Sequence, residues 1–224
     1  MATNWSAGDE ITAAKLNDTG YNTRVAVYLG SLQKIATGVT QNSRVRFDTK
    51  RYDPDNAFDN AEKSGTADAT EALKLHDADG GFEAGDVGKI VWNTTDETYA
   101  KITGFVDSGE LTLDTDIMAN GEGYIIFNSK YTAPATGYYL VICQVYLKGV
   151  GDQNKIRLDI YVNDTRVRYV SLTSSNDDMS IVFSDILSLT ANDEVHFEVS
   201  HSMATDLTIE GSDKASFFSI HRIS

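Results

Sequence analysis

Strict alternation of apolar and polar residues is the clearest pattern along the chain. Ile156, Leu158, Ile160 and Val162 alternate with Arg157, Asp159, Tyr161 and Asn163, the period-two spacing of a strand with one buried and one wet face. Val195, Phe197 and Val199 repeat the pattern against Glu194, His196 and Glu198, and Phe217-Phe218-Ser219-Ile220 gives a closing strand. Earlier in the chain, Val45 and Phe47 alternate with Arg44, Arg46 and Asp48 and predict a half-buried strand with a basic, solvated face. Tyr138 to Leu147 differs, because both alternating sets are largely apolar. Tyr138, Leu140, Ile142 and Tyr146 occupy one set, and Tyr139, Val141, Cys143, Val145 and Leu147 the other. Such a strand needs cover on both sides, and either a neighbouring subunit or the segment before it could supply the second cover.

Between these regions lies a run of short strand signals. Lys89-Ile90-Val91-Trp92 and Tyr99-Ala100-Lys101-Ile102-Thr103 flank the turn-forming Asn93-Thr94-Thr95-Asp96, which predicts a hairpin. Glu110 to Leu113 and Tyr124 to Phe127 follow their own turn residues, so a small β module is expected here. Residues 61–76 carry neither alternation nor Gly/Pro punctuation and read as a connector with room for a short helix. At the amino terminus, Asp9 to Asn17, with Ser6 or Asp9 as cap and Gly20 as stop, predicts a short helix. Val25, Tyr28, Leu32 and Ile35 fall at spacings of three and four, the stripe of a second helix, packed on its own core or in a short parallel bundle between subunits. Strands joined by polar turns dominate after residue 80, and the expected fold is mainly β, an antiparallel sandwich.

Composition narrows the function classes. With 224 residues and 41% hydrophobic content the chain can bury a sizeable core. Its 19 basic against 33 acidic residues give a formal charge of -14, which opposes a nucleic-acid backbone as partner. The only cysteine, Cys143, lies in an apolar run and reads as a small core hydrophobe. No basic-then-apolar leader follows Met1, and the most apolar stretch is far shorter than the roughly 20 residues of a membrane helix.

Several segments resemble known families. Tyr131-Thr132-Ala133-Pro134-Ala135-Thr136-Gly137-Tyr138-Tyr139, Tyr161-Val162-Asn163-Asp164, Leu187-Ser188-Leu189 with Asn192-Asp193-Glu194-Val195, and Ser216-Phe217-Phe218-Ser219-Ile220 resemble, in order and spacing, the trimeric jelly roll of the complement globular-head and tumour-necrosis-factor-like family. Val45-Arg46-Phe47 with Tyr52-Asp53 looks like that family's first strand. Asp86-Val87-Gly88-Lys89 through Leu111-Thr112-Leu113 is similar to a small β module of phage virion proteins, and Trp5 to Asn17 looks like the start of phage tail and fibre proteins. The resemblance implies a helical anchor segment over 1–40 and a first jelly-roll strand in 41–61. An inserted β module would then span 62–129 and the remaining jelly roll 130–224. It further implies a homotrimer on the exterior of a virion, attached to other virion proteins through the amino-terminal segment.

A search for chemistry finds little. A hydrolytic triad requires a nucleophile, a base and an orienting acid, and His76, His196, His201 and His221 sit in no nucleophile motif. His196 and His221 fall on polar-facing strand positions and read as surface histidines. Asp53, Asp55 and Asp59, and Asp77 with Asp79, collect oxygen ligands in turns suited to calcium, but aspartates favour turns for backbone reasons and neither run has the full loop spacing. Arg44, Arg46, Lys50 and Arg51 form a basic patch, read as a solvated strand face or a docking contact with an acidic neighbour. No catalytic, cofactor-binding or metal-ligating residue is assigned. The expectation is a non-enzymatic virion structural protein serving head decoration or host attachment, the latter through a host-surface glycan or protein. The alternative is a free carbohydrate- or protein-binding β-sandwich module of bacterial origin, since jelly rolls host many functions.

Overall fold

The computed structural model describes residues 24–35, 43–175 and 178–223. It is mainly β and antiparallel, and a single 3-10 turn, Ala84–Asp86, is its one helical element among the described residues. The first sheet is organised on the long strand β13 (Gly137–Lys148). Strand β16 (Met179–Leu189) runs along one edge of β13, from Gly137 to Leu147. Its other edge is shared by β19 (Phe217–Arg222) and β18 (Leu207–Ile209). Beyond β19 lie β1 (Arg24–Tyr28) and β4 (Thr49–Tyr52), and beyond β18 lies β2 (Gln33–Ile35). The second sheet has the order β15 (Thr165–Thr173), β14 (Lys155–Val162), β17 (Glu194–His201), β12 (Lys130–Thr132), β5 (Phe58–Asp59). The short β3 (Ser43–Arg44) also pairs with β17.

From β12 to β19 the chain crosses repeatedly between the two sheets, staying in one sheet only for the hairpin β14–β15 and for β18–β19. This is a jelly-roll-like path. The β14–β15 loop is two residues long, with Asn163 and Asp164 both at positive φ, 50 and 57°. That is the geometry whose twist matches the flanking strands, and Asn and Asp tolerate it best. The inner faces of both sheets share one core. At its centre, Phe218 lies 6.0 Å from Phe47, 6.1 Å from Phe58 and 5.1 Å from Phe197, ring centre to ring centre, so one ring joins the two layers.

The segment between β5 and β12 builds a third sheet. Its order is β6 (Glu62–Thr66), β11 (Gly123–Phe127), β8 (Ile90–Asn93), β9 (Thr98–Asp107), β10 (Glu110–Leu113), β7 (Lys74–His76). It encloses a separate core that includes Leu75, Val91, Ile102, Leu111 and Ile126. The predicted hairpin is present, Ile90 facing Lys101 and Asn93 facing Thr98. This module meets the sandwich through polar groups. Tyr99 donates to the Lys34 carbonyl at 2.5 Å and accepts from the fully buried Gln33 amide at 3.3 Å. The Arg46 guanidinium pairs with Asp48 and Glu62, both at 3.2 Å, and lies 5.2 Å from the Trp92 ring centre.

Four expectations are corrected here. The helix over Val25 to Ile35 is replaced by β1 and β2. Val25, Val27 and Leu29 are buried in turn while Leu32 is exposed, so the working period is two, and pairing with β19 and β18 overrides the helical spacing. Among the described residues the sandwich therefore already includes Arg24–Tyr28, ahead of the expected first strand in 41–61. The connector at 61–76 contains β6 and β7 and no helix. Strand β6 alternates exposed and half-buried residues and β7 buries only Leu75, which leaves no apolar period to read. The basic strand face is overturned for Arg44 and Arg46, buried at 2% and 6% exposure under the module. The predicted helix from Asp9 to Asn17 lies outside the described residues.

Phe218→Ala should cost about 3–5 kcal/mol in equilibrium chemical denaturation, since the ring is enclosed by three others and the cavity left can collapse only by shifting strands held in register.

Candidate functional site

The uncovered face of β13 is the first candidate. Tyr139, Val141, Cys143, Val145 and Leu147 point into the core and are fully buried. The opposite set faces outward, with Tyr138 55% exposed and Leu140, Ile142 and Tyr146 half-buried. Pairing places Ile186 opposite Leu140 and Val182 opposite Gln144, themselves 54% and 50% exposed. On the other edge Phe217 stands opposite Gln144. A contiguous apolar strip therefore crosses three strands. The module does not lie on it, because its contacts run to Gln33, Lys34, Arg44, Arg46 and Asp164. Of the two covers the sequence allowed, the inserted segment is thus removed.

Beside this strip, β1, β4 and β19 border an open cleft of about 500 Å³ containing Arg24, Arg51, Tyr52 and His221. The Arg24 guanidinium sits 4.3 Å from the Tyr52 ring centre, a cation–π contact, and Arg51 is held by Asp213 at 3.0 Å.

The second candidate is a knot of charge on the outer face of the second sheet, where the module covers it. Asp164, carried by the β14–β15 turn, meets Lys101 of the module at 2.8 Å and Lys130 at 3.1 Å, with Arg44 at 3.8 Å. Burial opposes ionisation of Asp164, but hydrogen bonds from Lys101 and Lys130 outweigh it and hold the carboxyl well below its usual range. His196 lies at 2% exposure, stacked on Tyr161 at 4.9 Å, with Nε2 3.2 Å from Glu198 Oε1. Burial, reinforced by Arg44 and Lys130, pushes the imidazole down to about 2. Burial likewise raises Glu198 to about 7, with Arg44 opposing and Asp159 assisting. The expectation of a surface histidine at His196 is therefore corrected. The position does face away from the core, as the alternation says, but the inserted segment roofs it.

The remaining candidates serve the scaffold. Asp53 accepts from the backbone of Ala57 at 2.8 Å and Phe58 at 3.1 Å and binds Lys50 at 2.9 Å, while Asp77 accepts from Tyr124 at 2.7 Å and from the Asp79 backbone at 3.0 Å. Among the described residues no three acidic, histidine or cysteine side chains gather as a metal would require. Lys50 and Arg51 do not join Arg44 and Arg46 in one patch, each having its own acidic partner. His76 lies 3.1 Å from Glu71, and His221 is exposed on β19. The Cys143 thiol is pushed up by burial. No described helix is long and apolar enough to cross a membrane.

No family model matches the chain, and no curated protein matches it. Among solved structures it is similar to an Eiger TNF from S. frugiperda, at 20% identity over 43% of this chain and 65% of that one, with a TM-score of 0.36.

The His196–Glu198 pair sets a pH dependence whose sign follows from the two displacements. Glu198 rises above its ordinary 4.5, so its contribution to stability is complete below that pH and is lost as pH rises through about 7. His196 falls below its ordinary 6.5, so its contribution is complete above that pH and declines as pH falls toward 2. The two oppose each other between 4.5 and 6.5. Thermal melts should show Glu198→Gln gaining on the parent protein as pH rises through 7, and His196→Gln losing less stability than the parent below pH 6.5.

Proposed function

We propose that this chain is a non-enzymatic structural protein of a phage-type particle, a homotrimeric jelly roll on the virion exterior that serves host attachment or head decoration. The observation carrying the reading is the apolar strip of Tyr138, Leu140, Ile142, Val182 and Ile186, exposed or half-buried on the outer face of the first sheet. Contiguous exposed apolar surface of this kind marks an interaction site, and a second and third copy of the same chain offer a matching surface. In-order resemblance of residues 131–220 to the trimeric jelly-roll family supports three copies about one axis. The resemblance of Trp5 to Asn17 and of the inserted module to phage virion segments supports the particle location. Trimeric display would multiply weak individual contacts through avidity. A free glycan- or protein-binding module is the second reading, favoured by the open cleft of Arg24, Tyr52 and His221.

Light scattering on the purified protein should give about three times 24.5 kDa, and Leu140→Glu with Ile186→Lys should reduce it to one protomer while the melting cooperativity is kept. A stable parent monomer would remove the trimer. Mass spectrometry of purified particles should find the chain, and particles without it would leave the free-module reading.

A further inference from the structure

We propose that the outer face of the second sheet at β14 and β15 binds an acidic polysaccharide, one sugar ring stacking on Tyr169 with its carboxylate between Arg157 and Arg166. The proposal deepens the host-attachment reading and rests on it for its biological meaning. Tyr169 is 60% exposed although its strand is well ordered in register, directly opposite Asp159. Asp159 is fully buried and fixes both neighbours, Arg157 Nε at 2.8 Å and Arg166 Nη1 at 3.5 Å. Their guanidiniums consequently stand 5.9 and 5.7 Å from the Tyr169 ring centre. An uncompensated buried carboxylate is costly, so the two arginines are held in place by the fold before any ligand arrives, and little ordering is left for binding to impose.

The chemistry selects the ligand class. A phenol ring offers an apolar face and a polar tip, the match for the C–H face of a pyranose. Paired guanidiniums favour a carboxylate. The chain as a whole has 33 acidic against 19 basic residues, so its general field repels anions. Here the two cations Arg157 and Arg166 face the carboxylate of Asp159, and burial raises the neighbouring Glu198 to about 7. Arg168, opposite Ile160, pairs with Asp185 on the strand's other face. Two guanidiniums to one carboxylate supply the charge complementarity. Strand β15 ends its sheet and both its faces are largely open, so a linear polymer can lie along it without meeting another strand. A uronate and a sialate present the same carboxylate on a ring, and the test separates them.

Binding of the full chain to immobilised polygalacturonic acid, polysialic acid and dextran, followed by interferometry, tests this. One or both acidic polymers should bind and dextran should not, and the acid that responds identifies a uronate or a sialate. Tyr169→Phe should keep the affinity, whereas Tyr169→Ala should weaken it about tenfold or more. Tyr169→Ala should leave the melting temperature unchanged, because the ring is mostly in solvent. Absence of binding to both acids, equal binding to dextran, or an unaffected Tyr169→Ala would each overturn the proposal. The measurement uses free protein, so it stands apart from the presence of the chain on particles, which is judged by the particle analysis alone.

Discussion

Everything in the sandwich is hung on β13. It is bonded to three others, β16 from Gly137 to Leu147 on one edge and β19 and β18 on the other, and its inner face contributes five fully buried side chains to the shared core. Burying one face of a strand while pairing both edges fixes the register of every neighbour, because a one-residue slip would expose the whole inner set. The same constraint produces the exposed strip. Once Tyr139 and its alternate partners are committed inward, Tyr138, Leu140 and Ile142 can only point out, which leaves apolar surface on the outer face of the sheet.

The inserted module changes the electrostatics of the opposite layer. In a bare sandwich the outer side chains of β17 and β12 would be solvated, and the burial that displaces His196 and Glu198 would be absent. Laying Lys101 and the β11–β12 junction over them removes water, so the charges must neutralise one another or shift. Asp164 does the first, held ionised by two lysines, and the His196–Glu198 pair does the second. Arg44 and Arg46 belong to the same seam. Their burial beneath the module, with Asn128, Glu62 and Trp92 as partners, makes the insertion part of the folded body and not an appendage on a linker.

Two surfaces then carry the functional reading, and they lie on different sheets. The exposed apolar strip belongs to the first sheet, while Tyr169 with its arginines belongs to the second, so association of like chains through the strip, as proposed, would use a different surface from Tyr169. A protein that must both assemble and make repeated weak contacts needs this separation, because a surface consumed in assembly cannot also meet a ligand.

Much of the strand content was legible in the sequence wherever one face is wet and the other buried. Ile156 to Val162, Val195 to Val199 and the Ile90/Thr98 hairpin announce themselves by alternation and turn residues, and β13 announces its double demand by having none. The edge strand β15 gave no such signal, since Thr165 to Thr173 is exposed on both faces and alternates nothing. Strand β1 was misread because Val25, Tyr28, Leu32 and Ile35 fit a helical stripe by spacing alone. Its pairing with the last strand of the chain, nearly two hundred residues away in sequence, is a non-local fact. The burial of His196, Arg44 and Arg46, and the placing of Tyr169 between two arginines fixed by Asp159, came only from tertiary structure. Sequence periodicity says which face of a strand a side chain takes, but what covers that face is decided by segments far along the chain.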